Sequence, residues 1–260
     1  MAKQSTRRRH VVVTGAGTGI GRAIALRLAT KSTLLTLLAR DVERLEATAT
    51  LARRRGARVQ VQGCDIAKRA SVDRAFARAA RSFGAIDVLV ANSGIGGPNA
   101  PGPRDRFDQL VATNLIGTYS CLRAAQRHLA AGPQTRHLVV IASVLARIGV
   151  AGYSGYCASK TGLLGLVRAL AAELAPLDVQ VNAVCPGWVD TEMARSGLEG
   201  MAQALGTSFD EARRIALGAV PLGRMAQPED VAGMVQWLVS PDARGVTGQG
   251  LDMNGGAFMI

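Results

Sequence analysis

The sequence has few residues of the kinds that bind metals or form disulfides. Its four cysteines are widely spaced with no C-x-x-C pair, and its three histidines show neither H-x-x-H nor H-E-x-x-H spacing. Zinc sites and disulfide frameworks depend on such spacings. We therefore expect no metal site and no disulfide, and we interpret Cys64, Cys121, Cys157 and Cys185 as reduced thiols, buried or half-buried.

Long uninterrupted hydrophobic runs are also missing. Apolar residues make up 48% of the 260, but every apolar stretch soon ends at Arg, Asp or Gly. A membrane-spanning helix needs about 20 apolar residues in succession. The segment 1–9 is a basic N-terminal extension, and the apolar stretch Val11 to Val13 after it is too short for a signal-peptide core. These features predict a cytoplasmic protein that does not associate with membranes.

Acidic residues are scarce: 19 Asp and Glu stand against 31 Lys and Arg, which gives a net charge of +12. Such an excess can indicate a nucleic-acid partner. Here most of the charge is arginine spread among Ala and Leu, and no aromatics interleave with the two runs, Arg7–Arg9 and Arg53–Arg55. We interpret the charge as a solvated surface and expect no nucleic-acid partner, although it could attract an anionic cofactor or an acidic carrier.

Short apolar runs alternate with longer runs rich in Ala, Leu and Arg along the chain. The predicted strands are His10–Thr14, Leu34–Ala39, Arg58–Gln62, Asp87–Ala91, His137–Ser143, Val179–Val184 and Gly250–Met253. The predicted helices are Gly19–Thr30, one ending near Arg54, Ala70–Phe83, Phe107–Ala131, Tyr153–Ala175 and Pro228–Val239. This alternation predicts an α/β fold in which residues 1–260 form a single doubly wound (Rossmann) domain. We expect a parallel seven-stranded sheet with helices on both faces.

A glycine-rich turn, Thr14–Gly21, joins the first predicted strand to the first predicted helix, with the spacing G-x-x-x-G-x-G. Glycines let backbone N–H groups approach a pyrophosphate, and the helix that follows directs the positive end of its dipole at the same anion. A glycine-rich turn alone is weak evidence. Its position between strand and helix favours a dinucleotide site over a loop without a ligand.

This turn resembles the cofactor signature of the short-chain dehydrogenase/reductase family, and the resemblance extends from about His10 to Gly256. It implies a nicotinamide cofactor and the interconversion of a ketone and a secondary alcohol by hydride transfer. The implied cofactor-binding residues of the turn are Gly15, Gly17, Thr18, Gly19, Ile20 and Gly21.

The end of the second predicted strand bears on the choice between NADP(H) and NAD(H). An acidic residue there usually binds the ribose hydroxyls of NAD, whereas an arginine nearby accommodates the 2′-phosphate of NADP. In this chain Ala39 stands where that acidic residue would be, and Arg40 and Asp41 follow it. We favour NADP(H), bound through Arg40, with NAD(H) as the alternative.

Two further motifs resemble parts of the family's cofactor site. Asp65 and Ile66 follow the third strand, where the family holds the adenine, although an aspartate is also a common turn residue. Residues 91–94 read Ala-Asn-Ser-Gly and resemble the family's Asn-Asn-Ala-Gly, which packs behind the cofactor ribose. The resemblance therefore adds Asn92 and Gly94 to the implied cofactor-binding residues.

Tyr156 and Lys160 are four residues apart in a predicted helix and so share one face of it. A tyrosine with a pKa near ~10 is a poor base at neutral pH. An ammonium and an oxidised nicotinamide nearby would lower that pKa. Ser143 ends the fifth predicted strand, where it can bind the substrate oxygen. The resemblance implies that Ser143, Tyr156 and Lys160 are catalytic and that Tyr156 and Lys160 also bind the cofactor. It further implies that they act with Asn114, which holds a water that links Lys160 to solvent.

Other tyrosines and other reaction classes fit less well. Tyr119 and Arg123 are also four residues apart, but no serine ends a strand upstream at a matching distance. Tyr153 has Cys157 at the fourth position. A serine hydrolase needs G-x-S-x-G after a strand, and a P-loop needs G-x-x-x-x-G-K-[ST]. The sequence contains neither.

The segment 186–227 shows no clear strand and resembles the family's substrate-binding loop, or lid, which excludes water and carries specificity. The resemblance assigns cofactor contacts in it to Pro186, Gly187, Val189 and Thr191. It assigns substrate contacts to Trp188 and Met193, in addition to Ser143 and Tyr156.

The segments 185–187, 220–224, 227–232 and 252–256 resemble bacterial 3-oxoacyl-carrier-protein reductases and aromatic polyketide ketoreductases. The resemblance implies a homotetramer and a small-molecule ketone substrate, such as a 3-oxoacyl thioester of a carrier protein or coenzyme A, reduced with NADPH. Arg136 is the one basic candidate for contact with a carrier protein. The alternative is an NAD-dependent dehydrogenase of a cyclic alcohol, a hydroxysteroid or a polyol.

Overall fold

Seven parallel strands form one sheet in the computed structural model, which describes residues 8–132 and 134–259. The strands are β1 (Arg9–Thr14), β2 (Thr33–Ala39), β3 (Arg58–Gly63), β4 (Val88–Ala91), β5 (Arg136–Ile141), β6 (Val179–Pro186) and β7 (Gly250–Met253). Their order is β3-β2-β1-β4-β5-β6-β7, and all six pairings are parallel. This order confirms the predicted doubly wound sheet. Successive strands are added in opposite directions from β1 and from β4, and the crevice at the carboxyl ends of these two strands is where such sheets bind ligands.

Helices cover both faces of the sheet. The α-helices of the described residues are α1 (Gly19–Leu28), α2 (Val42–Arg54), α3 (Arg69–Phe83), α4 (Phe107–Val111), α5 (Thr118–Gln126), α6 (Ser154–Leu174), α7 (Glu192–Leu205), α8 (Phe209–Gly218) and α9 (Pro228–Leu238). One buried apolar cluster joins the sheet to α3, α5 and α6, and a second joins its other face to α1, α2 and α9. Side chains alternate along each strand, so Val12 belongs to the first cluster whereas Val11 and Val13 belong to the second.

The long helix predicted over Phe107–Ala131 is interrupted and shorter. A π turn, Ala112–Gly117, joins α4 to α5, and α5 ends at Gln126. Residues 128–130 leave the helix because they bond to Ile86 instead. The Ile86 N–H donates to the His128 carbonyl at 2.8 Å, and the Ala130 N–H donates to the Ile86 carbonyl at 2.8 Å.

Several strand ends differ from the prediction by one or two residues, and two of these differences bear on the predicted residues. Arg9 belongs to β1 rather than to the N-terminal extension, because its N–H donates to the Ser32 carbonyl at 2.9 Å. Residues 1–7 of that extension lie outside the described residues. β5 ends at Ile141, two residues before Ser143. Ser143 instead begins a 3-10 turn, Val144–Ala146, because its Oγ atom accepts the Leu145 N–H at 3.1 Å.

The segment 186–227 contains α7 and α8 after the end of β6. Thr191 begins α7 by accepting the Ala194 N–H at 3.2 Å, and Ser208 begins α8 by accepting the Glu211 N–H at 3.2 Å. Within residues 8–132 and 134–259, every helix is too short or too polar to span a bilayer. In the same part of the chain, no cluster of His, Cys, Asp or Glu could hold a metal ion. The four cysteines are free, and all but Cys157 are buried.

Candidate active site

The glycine turn lies at the carboxyl end of β1 and requires glycine at specific positions. Gly15 and Gly19 have φ angles of +65° and +48°, a region that other residues rarely adopt. At Gly21 a Cβ atom would lie 2.1 Å from the Gly15 carbonyl oxygen. Asn92 supports the turn from β4, because its Nδ2 atom donates to the carbonyls of Thr14 at 3.1 Å and Gly15 at 3.2 Å.

The turn and the start of α1 fit a pyrophosphate. The Thr18 side chain, which precedes the helix, does not cap it, so the N–H groups of Gly19, Ile20 and Gly21 begin the helix without a side-chain acceptor from that position. Such N–H groups and the helix dipole favour an anion. Gly17 permits the close approach of Arg44 on α2, whose Cβ atom lies 3.0 Å from where a Cβ of Gly17 would be. These features fit the dinucleotide that the sequence predicts.

Two charged residues, Arg40 and Asp41, follow the carboxyl end of β2, and they differ in their contacts with the described residues. Arg40 is exposed and forms no salt bridge with any described residue. Asp41 caps α2 by accepting the Arg44 N–H at 3.1 Å, and its other oxygen lies 3.4 Å from Arg44 Nε. The acid that would compete for ribose hydroxyls is therefore already used within the chain.

Asp65 and Ile66 follow β3 near the other end of the crevice. Asp65 Oδ1 accepts the Ala67 N–H at 3.1 Å, and Oδ2 lies 3.7 Å from Lys68 Nζ, so the aspartate forms a turn of its own. The Ile66 carbonyl oxygen packs against the π turn, 2.9 Å from where a Cβ of Gly117 would be.

The segment Asn92–Gly94 connects the glycine turn to the predicted catalytic residues. On one side, Ser93 Cα lies 3.1 Å from where a Cβ of Gly15 would be. On the other side, a Cβ at Gly94 would lie 3.1 Å from Asn114 Oδ1 and 3.7 Å from Lys160 Nζ. The structure therefore brings the two predicted groups together at one edge of the sheet.

Tyr156 lies in the first turns of α6; its side chain is partly exposed, but its hydroxyl is withdrawn from water beside Ser143, which is 8% exposed. Burial raises the pKa of Tyr156, and the hydrogen bond with Ser143 offsets part of this effect. The sequence predicted a lowered pKa from the ammonium together with an oxidised nicotinamide, and for the cofactor-bound site this stays a prediction. The chain's own residues favour the protonated tyrosine, because the burial effect is larger than any opposing interaction.

Lys160 is buried one helical turn after Tyr156. Its Nζ atom donates to the Ile141 carbonyl at 2.9 Å and lies 5.6 Å from the centre of the Tyr156 ring. Burial lowers the pKa of Lys160 to about 8. The lysine is thus close to its titration point at neutral pH and is directed at the end of β5.

Asn114 lies in the π turn and is 1% exposed. Its Oδ1 atom accepts the Ile95 N–H at 2.9 Å, and its Nδ2 atom donates to the Ile95 carbonyl at 3.0 Å and to Ser159 Oγ at 3.2 Å. Ser159 Oγ in turn donates to the Tyr156 carbonyl at 2.8 Å. The sequence did not single out Ser159, although its place beside Lys160 on the same helix was a usable signal.

The segment 186–227 reaches this site through two of its predicted residues. A methyl carbon of Thr191 lies 3.1 Å from where a Cβ of Gly19 would be. The Met193 sulfur lies 3.0 Å from where a Cβ of Gly96 would be, and the Tyr156 ring lies 4.0 Å from the same point. Met193 is therefore next to Tyr156, as a substrate contact requires.

The other predicted residues of the segment after β6 pack around β7. Gly187 donates its N–H to the Met253 carbonyl at 3.0 Å, and Val189, which is buried, pairs with Ala226. Pro186 ends β6 opposite Met253. Trp188 lines a cavity of about 890 Å³ between the 220–226 loop, α9 and the C-terminal residues. Tyr156, Ser143 and Lys160 are not among the residues that line this cavity.

Arg136, the predicted contact for a carrier protein, is buried rather than presented to a partner. It is 7% exposed, and its Nη1 atom donates to the carbonyls of Gly132 and Gln134, each at 2.6 Å. The guanidinium fixes the loop before β5. This burial disfavours Arg136 as a carrier-protein contact, and local sequence does not tell whether a basic residue beside a strand faces solvent or its own loop.

Comparison with known proteins gives consistent matches over the whole chain. A family model described as Enoyl-(Acyl carrier protein) reductase matches residues 15–257. The chain is 38% identical over 258 residues to the monensin polyketide synthase putative ketoacyl reductase of Streptomyces virginiae, covering 97% of this chain and 98% of the relative. It is 32% identical to the 3-oxoacyl-[acyl-carrier-protein] reductase of Staphylococcus aureus, covering 96% and 98%. A crystal structure of a variant of actinorhodin polyketide ketoreductase with NADPH matches with a TM-score of 0.90 at 34% identity, covering 97% of this chain and 98% of that one.

The parallel sheet, the glycine turn and the tyrosine with its buried lysine define a class: oxidoreductases that use a nicotinamide cofactor on a Rossmann fold. The matches assign the family within that class. The chain belongs to the short-chain dehydrogenase/reductase family, as its sequence motifs predicted.

Proposed function

We propose that this protein uses NADPH to reduce the ketone of a 3-oxoacyl thioester, or of a similar polyketide-type β-ketone, to a secondary alcohol. The observation that carries the proposal is the group of Tyr156 with the buried Ser143 and Lys160, joined to the glycine turn through Asn92–Gly94. A hydride donor held by the turn and a proton donor held by α6 would then meet at one edge of the sheet.

In the proposed mechanism Ser143 and Tyr156 both bind the substrate carbonyl oxygen. When bound, the reduced nicotinamide supplies the hydride to the carbonyl carbon. Tyr156 gives its phenolic proton to the oxygen, and the raised pKa of Tyr156 supports this direction because the tyrosine is protonated at neutral pH. Ser143 stabilises the charge that develops on the oxygen.

Lys160 and Asn114 would return a proton to Tyr156. The pKa of Lys160, about 8, suits a group that exchanges protons near neutral pH. The amide of Asn114 is engaged by Ile95 and Ser159. Because these bonds engage the Asn114 side chain, we assign the proposed water contact to the Asn114 backbone carbonyl in the π turn.

The preference for NADPH over NADH rests on the end of β2. Arg40 is exposed and without a salt bridge to a described residue, so it is available for a 2′-phosphate. Asp41 is occupied by α2 and by Arg44. The other predicted cofactor contacts are part of this proposal. Asp65 and Ile66 would contact the adenine, and the residues near the nicotinamide would be Pro186, Gly187, Val189 and Thr191.

The substrate class rests on the relatives, two of which are reductases of 3-oxoacyl or ketoacyl groups by name. Met193 next to Tyr156 supports a substrate with an apolar part at the reacting carbon. Because Arg136 is buried, we favour a coenzyme A thioester or a small ketone over a carrier-protein thioester. The role of Trp188 as a substrate contact stays a prediction.

Initial rates test this proposal. Acetoacetyl-coenzyme A and cyclohexanone are offered with NADPH and with NADH, and cyclohexanol is offered with NAD⁺, with the nicotinamide absorbance as the readout. We expect NADPH-dependent reduction with a kcat/KM at least about tenfold above that with NADH, a ratio set by one arginine–phosphate contact. Oxidation of the alcohol with NAD⁺ as the fastest reaction would replace the proposal by the cyclic-alcohol dehydrogenase.

We further propose a cytoplasmic homotetramer. Four free cysteines suit a reducing compartment. Ile116 and Tyr119, which are 56% and 37% exposed beside the π turn, supply apolar surface for a second copy. Light scattering coupled to size-exclusion chromatography tests the assembly, and a monomer of 27.1 kDa would contradict it.

A further inference from the structure

The turn that carries Ser143 is tied to the last strand of the sheet by one ion pair. The Nε atom of Arg147 lies 3.1 Å from Oδ1 of Asp252 in β7, and its Nη2 atom donates to the Gly250 carbonyl at 2.7 Å. The two charged side chains are 19% and 18% exposed, which makes this the most shielded salt bridge among the described residues. A pair so far withdrawn from water holds its geometry better than a surface pair.

Arg147 and Ser143 belong to one hydrogen-bonded unit. The Ala146 N–H donates to the Ser143 carbonyl at 2.9 Å, and the Arg147 N–H donates to the Val144 carbonyl at 2.8 Å. Ser143 Oγ accepts the Leu145 N–H at 3.1 Å. A displacement of Arg147 would therefore rotate the whole turn and carry the Ser143 hydroxyl with it.

Hydrogen bonds also attach this turn to its neighbours: the Ala142 N–H donates to the Val184 carbonyl at 2.8 Å, and Thr161 Oγ1 donates to the Ala146 carbonyl at 3.2 Å. The thiol of Cys185, at the end of β6, lies beside the Ser143 backbone N–H. Burial raises the pKa of that thiol to about 11, so it is neutral, and a thiol sulfur is a poor acceptor. Cys185 lies opposite Asp252 in the register of β6 and β7. The ion pair therefore anchors the Arg147 end of the turn, beyond the hydrogen bonds at Ala142 and Ala146.

We propose that Arg147 is a positioning residue, whose ion pair with Asp252 holds the Ser143 hydroxyl against Tyr156 and the substrate oxygen. This inference rests on the proposed function. Arg147 reacts with nothing and acts only through Ser143. A small displacement of a group that must meet a reacting atom lowers the rate strongly while leaving binding elsewhere unchanged.

A double-mutant cycle tests the inference. Arg147→Met and Ser143→Ala are made singly and together, and kcat is measured with NADPH and acetoacetyl-coenzyme A, beside NADPH affinity by fluorescence. We expect Arg147→Met to lower kcat about tenfold in the parent and less than about twofold in the Ser143→Ala protein, because both changes remove one interaction. NADPH affinity stays within about twofold, because the glycine turn is untouched.

Two further variants separate positioning from general stability. Arg147→Lys keeps the charge and is expected to restore most of kcat, whereas Asp252→Asn removes the charge from the other side and is expected to match Arg147→Met. The control is Glu173→Gln, which breaks the pair of Arg123 and Glu173 between α5 and α6 at an N–O distance of 2.5 Å. It is expected to leave kcat unchanged in both backgrounds. If Arg147→Met fails to fold, Asp252→Asn carries the cycle.

Each outcome decides the matter. An equal loss of kcat from Arg147→Met with and without Ser143, or a loss of stability with kcat intact, overturns the positioning role and leaves the proposed function standing. A Ser143→Ala protein with unchanged kcat overturns the proposed role of Ser143 itself, and the inference falls with it. Coupling between the two sites together with rescue by lysine supports the inference.

Discussion

Tyr156 and Lys160 owe their protonation behaviour to burial more than to each other. Burial raises the pKa of the tyrosine and lowers the pKa of the lysine to about 8. Both shifts disfavour the charged form, which is the general effect of removing a group from water. Without a cofactor, the residues of the chain therefore favour the protonated form of Tyr156. The positive charge of an oxidised nicotinamide would be needed to favour the tyrosinate.

The lysine gives the activity a limit at alkaline pH. Because the pKa of Lys160 is lowered to about 8, its ammonium is present below that pH and is lost as the pH rises through it. If the ammonium serves the proton relay, kcat/KM for ketone reduction falls above pH 8 while NADPH remains bound. Rates measured from pH 6 to 10 check this, and a profile that stays flat to pH 10 would contradict the role of Lys160.

Gly21 is the residue at which a side chain is least tolerated. A Cβ there would lie 2.1 Å from a backbone oxygen, so Gly21→Ala is expected to weaken NADPH binding at least about tenfold and to lower the free energy of unfolding by about 1–3 kcal/mol. Fluorescence titration and urea unfolding measure the two effects.

The matched control for this variant is Gly165→Ala in α6, where no atom lies within 4 Å of the new Cβ. It is expected to bind NADPH normally and to gain about 0.4–1 kcal/mol of stability. Equal NADPH affinity in the two variants would show that the turn does not bind the cofactor.

At the scale of elements, the π turn between α4 and α5 is what brings Asn114 to Ile95. Asn114, which is buried, satisfies both backbone groups of the half-buried Ile95, and Asn114→Ala leaves both groups without that partner. We expect a loss of about 2–3 kcal/mol in the free energy of unfolding, together with a lower kcat. Urea unfolding and initial rates provide the measurement.

Ser159→Ala is the comparison for that variant. It removes one of the three hydrogen bonds of the Asn114 side chain and leaves Ile95 satisfied. Its loss of stability is therefore expected to be clearly smaller. A Ser159→Ala protein as unstable as Asn114→Ala would place the stabilising contact on α6 instead of on the loop after β4.

The elements that the sequence predicted well are those with a strong local pattern. β1 and β2 are largely apolar on both faces, β6 is buried along its whole length, and the glycine turn needs glycine for steric reasons at Gly21. α7 and α8 were not predicted, although Thr191 and Ser208 are capping residues and offered a usable signal. The π turn and the early end of α5 depend on contacts with Ile95 and Ile86, which local pattern does not contain.

At the scale of the whole molecule, contacts between distant residues escape the sequence entirely. Arg147 and Asp252 are 105 residues apart, and nothing in either local sequence pairs them. The burial of Arg136 could not be predicted either, because it depends on contacts with the loop before β5. The motifs could predict the fold, the cofactor turn and the tyrosine with its lysine, whereas the support around Ser143 required coordinates.

The stability of the whole chain is expected to depend on pH through His137 in β5. Burial, with a smaller effect of Arg9, lowers the pKa of His137 to about 4 from an ordinary value of 6.5. The unfolded chain binds this proton first, so stability is lost as the pH falls from about 6.5 towards 4, by up to about 3 kcal/mol.

Urea unfolding at pH 7 and pH 5 measures that loss. His137→Gln, which cannot take up the proton, is expected to lose less stability than the parent between these two values. An identical pH dependence in both proteins would assign the acid sensitivity to other groups.

The central claim is that Tyr156 donates the proton in an NADPH-dependent ketone reduction, and Tyr156→Phe tests it most directly. The variant keeps the ring and removes only the hydroxyl, so its folding and its NADPH affinity are expected to match the parent. With acetoacetyl-coenzyme A or cyclohexanone, whichever the parent reduces faster, kcat is expected to fall by about 10²–10⁴, the usual contribution of a positioned acid. Turnover of the Tyr156→Phe protein at the parent rate would contradict the account.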